Sequence, residues 1–319
     1  MSFPPLPGTL WMEDPPRQVS ILLERRWLAR TERGNGAAGP ADPMVRWTVA
    51  DHLVRGDRRN RVDVRWMRSE AGGSLVNRAG RIRVSQQTPR AAVELVPGAL
   101  EDPAGLEALV DAALAAGLAW RGECFLHAAA VEFGGRRLLV LGGSGAGKST
   151  LAAAVLTARG RVVSDDSVIL GSHQGQPLAR ASRRDLWLRT GSALLARRLQ
   201  AIGLQATPTA DDRLRLERAR APARFIDSLR PNGLCVLERA GDEDGVFATP
   251  LDQGAALAAL LRGTSALYLT EAGFEELRHR ISRLLSSFAQ GLAISRIRVG
   301  RRLLRQPEES IAALDRVLP

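Results

Sequence analysis

One lysine stands among 45 basic side chains, so 45 − 1 = 44 of them are arginine. Arginine has displaced lysine at every other position, and a planar guanidinium cannot reproduce a compact ammonium on a flexible stem. The position that kept its lysine, Lys148, is therefore singled out before any motif is considered. It lies in the run Gly142, Gly143, Ser144, Gly145, Ala146, Gly147, Lys148, Ser149, Thr150. Gly142, Gly147, Lys148 and Ser149 meet the spacing G-x-x-x-x-G-K-[ST] of a phosphate-binding loop. Glycines let the backbone wrap a phosphate chain without Cβ clashes. Successive N–H groups form an anion nest, and the helix after the loop adds its positive N-terminus. The spacing assigns Lys148 to the β- and γ-phosphates of a nucleotide and Ser149 to Mg²⁺, with Thr150 the lesser candidate for the metal.

Asp165 and Asp166 come 17 and 18 residues after Lys148. An adjacent acid pair near a phosphate loop suits phosphoryl transfer, which needs charge neutralisation and an aligned nucleophile more than covalent help. Neighbouring residues of a strand point to opposite faces. Both acids can serve one site only if the strand turns into a loop there. His127, 21 residues before Lys148, sits in the apolar run from Phe125 to Val131.

These residues need elements to place them. Leu138–Leu141 reads as a buried strand running straight into the glycine loop, with Gly134 and Gly135 as a hairpin turn before it. An alanine-rich helix comes after the loop and is expected to end at Gly160. A single strand is expected over 161–170, and a loop over 171–183. Further strands are expected over 233–239, 245–250 and 292–299, and helices near 193–204, 253–262, 271–289 and 307–318. Strands alternating with helices predict an α/β core. Leu106, Leu109, Val110, Ala113 and Leu114 fall at helical spacing after Asp102 and Pro103. Residues 1–100 carry short alternating runs, such as 62–66 and 81–84, and read as a small mixed α/β accessory domain. The remainder, 101–319, reads as the catalytic domain. The cluster Arg55–Arg61 reads as a solvated turn.

Composition bounds the rest. Hydrophobic residues at 45% and charged residues at 25% predict a globular protein. Val19–Leu23 runs into Glu24, Arg25 and Arg26, unlike a secretory signal, and no apolar run is long enough for a membrane span. Cys124 and Cys235 give neither a disulfide framework nor a metal cluster, which predicts a reducing cytoplasmic setting. A net charge of +11 suits an anionic partner: nucleic acid, a nucleotide, an acidic protein or peptide, or a membrane surface. The basic residues are scattered and aromatics are only 4%, which disfavours nucleic acid as the partner.

The runs His127–Val131, Gly142–Thr150 and Val163–Val168 together resemble the core of HPr kinase/phosphorylase. They are similar also to HPr-kinase-like proteins associated with peptide modification, including lasso-peptide precursor kinases. The resemblance covers roughly 125–170. It implies an HPr-kinase-like (PEP-carboxykinase-like) fold around the phosphate loop, and a cytoplasmic kinase using ATP and Mg²⁺ to phosphorylate a serine hydroxyl. It implies Asp165 as general base and Asp166 as the Mg²⁺ acid, roles the two could exchange, and a site role for His127. Arg189 would stabilise the transferring phosphoryl group. The family's second signature has a glutamate where this chain offers only Asp185, which counts against the reverse phosphorylase reaction. The family also assembles as homo-oligomers. A kinase of a small-metabolite hydroxyl and a non-catalytic nucleotide-binding regulator stay open beside this reading.

Overall fold

The computed structural model describes residues 11–13, 44–49, 65–69, 72–85, 90–96, 98–182, 185–189, 193–208, 213–217, 221–239, 245–264 and 275–319. The fold is mixed α/β. The chain divides into two compact units, one of 1–124 with 265–282 and one of 125–264 with 283–319.

In the first unit β1 (Trp11–Glu13), β2 (Met44–Val49), β3 (Arg65–Ser69), β4 (Gly72–Asn77), β5 (Gly80–Ser85) and β6 (Arg90–Leu95) form one sheet, in the order β1-β2-β6-β5-β4-β3. Ile82 and Val84 are buried while Arg83 between them is exposed, the period of two expected of a half-solvated strand. α1 (Pro103–Trp120) begins at Asp102, whose carboxylate accepts the Gly105 N–H at 3.2 Å. Pro103 opens the helix, where a missing N–H costs nothing. α1 packs on β5 and β6 and buries Leu106, Leu109, Val110, Ala113 and Leu114. The sequence reading divides the chain near residue 100. The packing divides it at Cys124, because the apolar face of α1 is covered by the N-terminal sheet. Arg55–Arg61 lies outside the described residues.

The second unit is entered through β7 (Cys124–Leu126). It continues with β8 (Ala129–Phe133), β9 (Arg136–Leu141), α2 (Lys148–Thr157), β10 (Arg161–Ser164), β11 (Val168–His173) and β12 (Gln176–Ala181). Then come β13 (Asp185–Arg189), α3 (Ala193–Ala201), β14 (Ala206–Pro208), β15 (Arg213–Glu217), β16 (Ser228–Leu229), β17 (Gly233–Arg239), β18 (Val246–Pro250) and α4 (Gln253–Gly263). α5 (Glu275–Gly291) brings the chain back to β19 (Ala293–Val299), α6 (Arg302–Arg305) and α7 (Pro307–Val317).

The main sheet has the order β10-β8-β9-β17-β19-β18. Its three central strands, β9, β17 and β19, are parallel; β8 and β18 run against them, and the edge strand β10, antiparallel to β8, runs in the direction of β9. One sheet face, with Leu138, Val140, Cys235 and Ile297, packs on Leu151 and Val155 of α2 and on Ile311 and Leu314 of α7. Cys124 and Cys235 are both buried thiols.

Two segments differ from expectation. The strand expected over 161–170 is broken into β10 and β11 by Asp165, Asp166 and Ser167. The loop expected over 171–183 is instead the hairpin β11–β12, closed by Gln174 and Gly175 at φ 53° and 76°. That pair of left-handed residues makes a two-residue turn of the kind that matches strand twist. Glutamine in its first position hides the signal from a reading of the sequence.

Candidate functional site

The parallel strand β9 ends at Leu141, and the glycine loop carries the chain onto α2. Gly142 leaves the sheet beside β17, where a Cβ would come 2.8 Å from the Leu237 carbonyl oxygen. Gly147 caps α2 in the left-handed region, at φ 105°. Gly143, Ser144 and Gly145 form an exposed tip, and Thr150 is half-buried in the first turn of the helix. The first N–H groups of any helix lack an intrahelical acceptor. Here they open into the loop.

Lys148 is only 5% exposed. Its Nζ donates to the carbonyls of Gly142 (2.7 Å) and Gly143 (3.1 Å) and lies 2.9 Å from His127 Nε2. Burial pulls its pKa below the ordinary lysine range, while Asp166 and Asp165 oppose that shift. On its other side His127 Nδ1 stands 3.2 Å from Asp166 Oδ1. An ammonium can only donate, so with Lys148 charged Nε2 accepts, and the ring proton sits on Nδ1, facing the Asp166 carboxylate. Lysine, histidine and aspartate thus form one hydrogen-bonded row.

The row is held from a distance. The His127 N–H donates to Gly263 O at 2.7 Å, at the end of α4. Next to it Leu126 bridges Thr264, whose hydroxyl donates to Phe125 O at 2.9 Å.

The two acids are placed by the break in the strand. Between Val162 and Ser164 the register of β10 against β8 shifts, so Val163 is an extra residue just ahead of the pair. Such bulges bend a strand and re-aim the side chains beyond the bend. Ser182 Oγ donates to Ser167 O at 2.6 Å, and the Ser167 N–H reaches Ser164 Oγ at 3.4 Å, tying the turn on both sides. Asp165 points inward and is 2% exposed. It accepts a hydrogen bond from the Trp187 N–H of β13 at 3.4 Å and lies beside the Ser149 hydroxyl. Burial, with the Asp166 charge second, raises its pKa from 3.8 to about 7. Asp166 stays accessible, its side chain 36% exposed, beside a His127 that is 44% exposed.

The structure therefore brings together His127, the loop residues, Lys148, Ser149, Asp165 and Asp166. The Asp185 carboxylate is paired with Arg215 at 2.6 Å. Arg189 ends β13 opposite Arg213, and its side chain lies outside the described residues. The Trp187 N–H, Ser182 and Gly263 are not singled out by the sequence. They act through backbone groups or a common hydroxyl, and neither leaves a pattern to read. A groove of about 320 Å³ beside Arg159, Ile311 and Asp315 lies at the opposite end of α2 and takes no part.

The donor set fits a magnesium nucleotide. A buried ammonium and a glycine loop at a helix N-terminus suit the phosphates. A hydroxyl with a carboxylate beside it, Ser149 and Asp165, suits Mg²⁺, which takes one or two protein oxygens and fills its sphere with phosphate and water. Among the described residues no three His, Cys, Asp or Glu side chains converge on an all-protein metal site. No helix among them is long and apolar enough to cross a membrane.

Among known proteins, no family model matches the chain, and no curated protein does. Among solved structures it is similar to the HPr(Ser) kinase/phosphatase from Coxiella burnetii, at 10% identity and a TM-score of 0.30. The match covers 59% of this chain and 88% of that one. A likeness at that level assigns no role to any residue.

Proposed function

We propose that the chain is an ATP-dependent kinase that transfers the γ-phosphoryl group to a serine hydroxyl of a protein or peptide. The observation that carries this reading is the row Lys148–His127–Asp166 across the glycine loop, with the buried Asp165 next to it.

Lys148 and the loop amides hold the phosphate chain. Bound Mg²⁺ would supply charge neutralisation on the phosphate oxygens, and Ser149 with Asp165 would hold it. Asp166 is the acid an incoming hydroxyl can reach, whereas Asp165 is closed off. This exchanges the two roles that the family resemblance implied. The serine O–H proton passes to the Asp166 carboxylate as the serine oxygen bonds phosphorus and the bond to the β-phosphate oxygen breaks, releasing ADP. Hydrogen bonded through Nδ1, His127 fixes the orientation of Asp166. The resemblance adds Arg189 as a stabiliser of the transferring group. The exposed loop tip and the accessible Asp166 favour a chain-like acceptor over an enclosed small metabolite, and the charge of +11 favours an acidic one.

The test is intact-mass analysis of acidic serine-containing peptides incubated with the protein, ATP and Mg²⁺. Lys148→Ala and Asp166→Asn run in parallel. One added phosphate, mapped to serine and absent with both variants, is the expected result. Bound ATP with no peptide modified would shift the reading to a metabolite kinase or a nucleotide-gated binding protein.

A further inference from the structure

The sheet order gives the bound nucleotide a direction. His127 precedes β8, and Asp165 and Asp166 come after β10, so the groups that meet the γ-phosphate lie on the β8–β10 side of β9. A nucleotide has its γ-phosphate and its nucleoside at opposite ends. With the phosphates on the loop after β9, the nucleoside end extends the other way, over the carboxyl ends of β17 and β19 and the start of β18. Ligands of open α/β sheets gather at such carboxyl ends.

The residues there form a row. Leu141 pairs with Val236, which carries Glu238 to the level of Gly143 as β9 gives way to the loop. Glu238 pairs with Arg298, and Arg298 with Phe247. From the loop outward the order is a carboxylate, a guanidinium and an aromatic ring, all on one sheet face. Glu238 is half exposed and held by Arg296 at 3.2 Å. Phe247 is 48% exposed, and its ring lies against Gly245, where a Cβ would come within 2.3 Å of it. The Gly300 N–H closes that corner on Gly245 O at 3.2 Å. From β9 to β18 is three strand spacings, roughly 14 Å. One exposed aromatic is ordinary on a surface. This one stands in register with the loop, on the side where the nucleoside must lie.

We propose that Phe247 is the platform on which the nucleotide base stacks, with Glu238 nearer the loop accepting hydrogen bonds from the ribose hydroxyls. The inference rests on the nucleotide reading of the phosphate loop. Calorimetric titration with ATP and with inorganic tripolyphosphate separates the two. Tripolyphosphate has the phosphates and no nucleoside. Phe247→Ala is expected to weaken ATP binding about tenfold, within the range for loss of one stacked base, and to leave tripolyphosphate binding unchanged. Phe247→Trp is expected to restore ATP binding. Equal loss of both ligands in Phe247→Ala, or loss of neither, overturns the platform. Wild-type protein that binds neither ligand overturns the phosphate-loop reading, and the platform with it.

Discussion

At the scale of single residues the site turns on one cation and two acids. Lys148→Arg keeps the charge in a chain otherwise furnished with arginine. A guanidinium cannot enter the space in which Nζ meets two carbonyls and His127. The phosphorylation rate of an acceptor peptide should fall by about 10²–10³, the scale of losing one preorganised donor, while the circular dichroism spectrum is unchanged. Asp165 makes a separate prediction about stability. Its carboxyl is neutral in both folded and unfolded chains at low pH. Its folded pKa, about 7, lies above the unfolded 3.8, so ionisation opposes folding. In the presence of a chelator, stability should decline as pH rises from about 4 and level off above about 7. The full effect is on the order of 4 kcal/mol. Asp165→Asn should remove that decline, and the difference between variant and wild type in urea midpoint should vanish near pH 4. A midpoint difference that does not change with pH would refute it.

At the scale of elements, Gly160 shows how closely the helix after the loop is seated. α2 ends at Thr157, and Arg159 takes the left-handed turn at φ 64°. The Gly160 N–H then returns to Val155 O at 2.8 Å. A Cβ on Gly160 would meet Glu132 O and Val155 Cγ1, both at 2.5 Å. Gly160→Ala should therefore cost about 1–3 kcal/mol by overpacking, read as a lower urea midpoint. Here the sequence is only partly legible. It locates the end of the helix, but the left-handed residue is the arginine before the glycine. Gly160 is required by the approach of β8, a non-local fact. The acid turn shows the same pattern. Valine, valine, then valine, isoleucine and leucine across 162–170 read as one strand, and nothing local marks the bulge at Val163. The loop is legible because its chemistry is local: glycines, a lysine and a strand before them. The anchor of His127 is not, since Gly263 lies 136 positions away and contributes only a carbonyl.

At the scale of the whole molecule the segments 1–124 and 265–282 belong to one unit. A chain cut to 101–319 would keep α1 and lose the sheet that buries Leu106, Leu109, Val110 and Ala113. At about 1.5–3 kcal/mol per large aliphatic side chain left exposed, that fragment should aggregate on size-exclusion chromatography, whereas the full chain elutes as a defined species. The charge of +11 acts on the same scale. If an acidic peptide is the acceptor, its KM should rise several-fold between low salt and roughly 0.3 M, as screening shortens the reach of the arginines. A neutral peptide should show little change.

The solitary lysine has a consequence for the fate of the protein. Every reaction that targets a side-chain ε-amine, whether acetylation, methylation or attachment of a ubiquitin-like tag, has one address in this chain, and that address is the floor of the glycine loop. Because the amine is 5% exposed and shares its protons with two carbonyls and a histidine, such marks cannot be laid down without dismantling the site. Modification of a lysine side chain can silence this protein but cannot decorate it.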